Sequence, residues 1–124
     1  MDYTKEELQE AIRAITSMIN KSEKAQLKLK AGTWQHTMTV QALKADYIAI
    51  ALLNRELEAN SAIGKSTYTE EELDHALKAV TAIIGRVEKI QPKFEENTPQ
   101  HTLAVRRIKA LSISLALIKR ELNL

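Results

Sequence analysis

The chain has 124 residues, enough to bury one hydrophobic core without metals, and its lack of cysteine excludes thiolate sites, thiol nucleophiles and disulfides together. Eighteen basic and sixteen acidic residues leave a formal charge of +2, which excludes the strongly basic balance of a dedicated nucleic-acid binder. No apolar run approaches the roughly 18 to 20 residues that span a bilayer, and the opening Met-Asp-Tyr-Thr-Lys-Glu-Glu has no apolar leader, so we expect a cytoplasmic protein.

The first element opens on Tyr3-Thr4-Lys5-Glu6-Glu7-Leu8. Thr4 can cap a helix, Glu7 stands at the capping-box position three residues later, and Tyr3 is placed to staple onto Leu8. Leu8, Ile12, Ile15, Ile19 and Leu29 then recur at helical spacing, which predicts an amphipathic helix of about 25 residues. Gly32-Thr33 marks the turn, because glycine accepts the left-handed position after a helix end and threonine caps the next helix, with Trp34 following. The second helix is apolar around most of its circumference from Leu43 to Leu53, so we expect burial on more than one side. Glu58 to Thr67 has no apolar period and reads as a connector.

The third element repeats the first. Tyr68-Thr69 and Glu72 restore the staple, cap and capping box, and Leu73, Leu77, Val80, Ile84, Val87 and Phe94 carry the stripe. Pro92 stands where the first helix has Leu27, which predicts a kink or an early helix end near Gln91. Asn97-Thr98-Pro99 gives a left-handed turn residue, a cap and a proline at the first helical position, which fixes the start of the fourth helix. That helix is broadly apolar from Ile108 to Ile118.

Offset by 65 residues, Tyr3–Leu57 aligns without a gap on Tyr68–Leu122, with 26 of 55 pairs identical. Identity of that density along the whole unit reads as duplication of one helical hairpin. We therefore expect a single all-α domain over 1–124, with repeat 1 at 3–57, a connector at 58–67 and repeat 2 at 68–122. Short turns predict an up-down-up-down four-helix bundle in which two hairpins complete one core. Shared polar positions include Glu23 with Glu88, Lys24 with Lys89 and Lys44 with Lys109, and similar depths suggest a Glu23–Lys44 ion pair within each hairpin.

Few residues point to chemistry. Gln35-His36-Thr37 recurs as Gln100-His101-Thr102, and each His falls three residues after a Thr cap, where a side chain can turn back on the cap's backbone. Two imidazoles at one bundle end also suit a metal or an anion, but zinc takes three or four ligands and no third is at hand, so we expect no metal. Ala59 to Ser66 meets a permissive phosphate-loop pattern, yet a helix precedes it where a strand is needed and its first glycine is absent. Arg106, Arg107 and Lys109, with Lys119 and Arg120 beyond, form a candidate basic strip that copy one lacks at Gln41-Ala42. The glutamates at the helix starts suit the macrodipole, and neither nucleophile nor acid–base pair emerges. We expect no enzyme activity, no cofactor and no small-molecule substrate.

The apolar excess of the second and fourth helices, including Ala45, Ala49, Ala51, Ala110 and Ala116, is the main hint of function, because an external partner could cover it. Alternatively those alanines merely fill surface positions. In the second copy, His101-Thr102-Leu103, Arg106-Arg107-Ile108-Lys109-Ala110-Leu111 and Leu117-Ile118-x-Arg120-Glu121-Leu122 resemble short uncharacterised bacterial helical-hairpin proteins, and each copy looks like one such unit, with copy one departing at Gln41-Ala42. That resemblance implies a bacterial, cytoplasmic origin and no activity. The expectation is a non-catalytic bundle acting through protein–protein contacts, as a homodimer or with a separate protein. The alternative is a nucleic-acid-associated accessory protein that uses the basic strip of the fourth helix.

Overall fold

A computed structural model describes residues 3–58 and 68–123. The connector from Ala59 and its phosphate-loop-like run Ala59–Ser66 lie outside the described residues. The chain forms α1 (Lys5–Lys28), α2 (Trp34–Glu58), α3 (Glu70–Ile90) and α4 (Pro99–Glu121), with one 3₁₀ turn (Gln91–Lys93) after α3. No strand occurs among the described residues.

Both expected capping boxes are present. The Glu7 amide donates to Thr4 Oγ1 at 3.1 Å while the Thr4 amide donates to Glu7 Oε1 at 3.0 Å. The Thr69–Glu72 pair repeats this at 3.0 and 2.9 Å. The Thr4 amide hydrogen bond, reinforced by the Thr4 hydroxyl and Lys109, lowers the Glu7 pKa. Thr33 and Thr98 cap α2 and α4 by accepting from the amides of His36 and His101, both at 3.2 Å. Pro99 takes the first position of α4, and α3 stops at Ile90, where Pro92 removes an amide donor that the helix needs.

Gly32 and Asn97 do adopt left-handed backbone, with φ of 88° and 67°. Their place differs from the expected helix end, because α1 closes on an extended Leu29 three residues earlier. Each left-handed residue is instead the third of a β-turn, closed by the Thr33 amide on the Lys30 carbonyl at 3.2 Å and by Thr98 on Glu95 at 3.3 Å. The two turns thus share one design despite their different sequences.

Adjacent helices are α1 with α2, α2 with α3, α3 with α4, and α4 with α1; α2 also touches α4 across the diagonal, whereas α1 and α3 do not meet. This is the up-down-up-down bundle, and both turns lie at one end. The core runs through Leu8, Ile15, Leu53, Val80, Leu111 and Ile118, and buried Ala11, Ala45, Ala49, Ala76 and Ala110 allow close helix approach. Surface filling by the alanines of α2 and α4 is thereby overturned at Ala45, Ala49 and Ala110, while Ala51 and Ala116 are half-buried. With three helical neighbours each, α2 and α4 bury Leu43, Ile48, Leu52 and Leu53, and Leu111, Ile113, Leu117 and Ile118, within the chain itself, while Trp34, Tyr47, Leu103 and Val105 stay exposed. No helix among the described residues is long and apolar enough to cross a membrane.

Candidate functional site

At the turn end, each His is the third residue of its helix and half-buried, while Gln35, Thr37, Gln100 and Thr102 are exposed. The ring of His101 reaches across the turn, its Nε2 lying 3.4 Å from the side-chain amide of Gln91, which donates when that nitrogen carries no proton. The expected return of this side chain to its own cap therefore gives way to a contact with the 3₁₀ turn. Thr37 Oγ1 donates to the Thr33 carbonyl at 3.2 Å, a purely local bond. No group of three or more His, Asp or Glu side chains that could hold a metal occurs among the described residues.

The three cations of the candidate strip point to different surroundings, since at 100° per residue positions 106, 107 and 109 spread around α4. Arg106 is exposed beside Asn97, Thr98, Pro99, Thr102 and Leu103, where the surface dips. Arg107 is half-buried, and its Nε is buried without a hydrogen-bond partner among the described residues. Lys109 pairs with Glu7 of α1 at 3.6 Å.

That pairing corrects the ion pairs expected inside each hairpin. Lys109 looks to α1 rather than to Glu88, and Glu23 accepts a 2.5 Å hydrogen bond from the Tyr47 hydroxyl rather than meeting Lys44. The bond to Glu23 raises the Tyr47 pKa. Depth along antiparallel helices carries no information about which way a side chain leaves its helix.

The Arg-Glu pairs that end α2 and α4 form a reciprocal arrangement. Arg55 pairs with Glu121, and Arg120 grips both carboxylate oxygens of Glu56, at 3.2 and 2.5 Å. Arg55 and Arg120 are equivalent under the repeat, as are Glu56 and Glu121, so each copy offers the other the same two groups. The Arg120 hydrogen bond lowers the Glu56 pKa, and Glu56 in turn raises that of Arg120. Such exchange of identical contacts is the mark of a two-fold interface.

Asp46 was not singled out in the sequence, although the repeat contains its signal: it aligns with Leu111, a fully buried core residue. Its side chain is 1% exposed and Oδ1 has no hydrogen-bond partner among the described residues. Burial away from compensating charge pushes its pKa up to about 7.

Two surface features complete the picture. A trough of about 850 Å³ runs between α2 and α3, with Ala45, Ile48, Ala76 and Ile83 buried in its floor and Lys44, Lys78 and Arg86 exposed along it. At the turn end, Leu27 is 88% and Trp34 71% exposed, and Ile90, Leu103 and Val105 are also exposed on the last turn of α3 and the start of α4. No family model, curated protein or solved structure matches the chain.

Proposed function

We propose that the protein is a non-catalytic helical bundle that works through protein–protein contacts, with the turn end as its contact surface. The observation that carries this reading is the exposure of Leu27 and Trp34 on either side of the first turn, with Ile90, Leu103 and Val105 of the second hairpin also exposed towards that end. Exposed large apolar side chains such as these are candidate contact residues. A tryptophan at such a place is also the residue type most enriched where binding energy concentrates. The buried part of the mid-bundle apolar excess, Ala45, Ala49 and Ala110 among it, contributes nothing to the case, because the bundle itself covers these residues.

The test uses the full chain and a Leu27→Ser, Trp34→Ser variant. Light scattering at micromolar concentration reads self-association, and co-purification under moderate salt, with and without nuclease, reads a separate partner. Self-association or nuclease-resistant co-purification that the double variant abolishes supports the reading. Association lost to nuclease and indifferent to the two substitutions overturns it in favour of a nucleic-acid role.

A further inference from the structure

The two grooves between the hairpins derive from equivalent positions but differ in build. Between α1 and α4, Lys109 bridges to Glu7 at 3.6 Å and the half-buried Arg107 occupies the position equivalent to Ala42. Between α2 and α3, Ala42 leaves space, and among the described residues the counterparts Lys44 and Glu72 make no ion pair and the 850 Å³ trough lies open.

We propose that this trough receives an acidic amphipathic helix from a partner protein. Along α3 it extends from Glu72 to Arg86, about 20 Å at 1.5 Å per residue, which is three to four helical turns. Its small side chains, Ala42, Ala45, Ala76, Ala79 and Ala82, let a fifth helix approach closely. Cations stand on both walls: Lys44 on α2, and Lys78 and Arg86 on α3. Lys44 and Arg86 form no ion pair among the described residues, Lys78 is shared with Asp74 at 3.1 Å, and the carboxylate in the lining, Glu72, stands on the first turn of α3, at the other end of the trough from Arg86. A helix with acidic residues flanking an apolar stripe answers charges on two walls, whereas a fatty acid brings one anionic head at one end. This rests on the reading of the chain as a protein-contact module, but it uses a separate surface.

The probe is a synthetic 18-residue amphipathic helix with a leucine stripe and glutamate flanks, titrated calorimetrically into the full chain beside a lysine-flanked counterpart and oleate. The glutamate peptide is expected to bind and the lysine peptide not. Ala82→Trp, at an exposed trough position, should weaken binding at least tenfold with the helical circular dichroism unchanged. Lys44→Glu with Arg86→Glu should exchange the preference between the two peptides. Trp34→Ser should leave the affinity within twofold, which separates this site from the turn end. Absence of binding, equal binding of both peptides, indifference to Ala82→Trp, or displacement of the peptide by oleate overturns the proposal, and none of these touches the self-association experiment at the turn end.

Discussion

A carboxyl group in a helical core carries a cost that depends on its proton. For Asp46 the folded pKa near 7 lies above the ordinary value of 3.8, so the folded chain holds its proton over a range in which the unfolded chain has lost it. Stability therefore falls as pH rises from about 3.8, and the penalty is complete once pH passes about 7. Between about pH 5 and pH 8 the loss is on the order of 2–3 kcal/mol. Glu7 and Glu56 act in the opposite sense, since their pKa values are lowered and their contribution is lost as pH falls, in a window below that of Asp46. Urea unfolding at pH 5, 6.5 and 8 should show this decline in the natural chain and little of it in Asp46→Asn, whose amide does not titrate. A parallel decline in both would mean that another group is responsible. The signal for Asp46 was legible once the two copies were aligned, because a charged residue opposite Leu111 breaks a core pattern; helical periodicity alone gives no such warning.

At the scale of elements, most boundaries follow from short-range chemistry, which is why they could be read from the chain. The four Thr caps, Pro99 at the start of α4 and Pro92 beyond the end of α3 each act on amides within a few residues. The turns show the limit of such reading: the left-handed residues were foreseen, their place in a β-turn beyond an extended residue was not, because helix fraying shifts an end without changing the residues that permit it. A Cβ at Gly32 would meet no atom within 4 Å, so Gly32→Ala tests the backbone alone. With φ at 88° the substitution should cost about 1 kcal/mol, and Asn97→Gly, at φ 67°, should return up to about 1 kcal/mol. Thermal unfolding of the two variants reads both, and equal effects in the same direction would refute the turn assignment. Side-chain partners across helices were less legible. Lys109 with Glu7 and Tyr47 with Glu23 replace the expected Glu–Lys pairs because rotation about each helix axis is set by the whole core.

At the scale of the molecule, the bundle and its topology were legible, whereas the diagonal contact of α2 with α4 and the trough were not, since both depend on how far apart four axes settle. The reciprocal Arg55–Glu121 and Arg120–Glu56 pairs favour descent from a homodimer of hairpins. Fragments sharpen this. A dimer of residues 1–60 would bury two copies of Asp46 at positions related by the two-fold, so its association should strengthen below about pH 7 and on Asp46→Leu. A fragment of residues 66–124, which has Leu111 there, should dimerise with no such pH dependence. Sedimentation of the two fragments decides, and a stable folded monomer of either would sink the idea. Trp34, the single tryptophan, has a further use. Because the indole already stands 71% in solvent, its emission should differ little between folded and unfolded chain, so it is a poor reporter of folding. By the same token its background is quiet: a blue shift on mixing signals that something has covered the turn end, and the natural chain carries its own optical probe for that encounter.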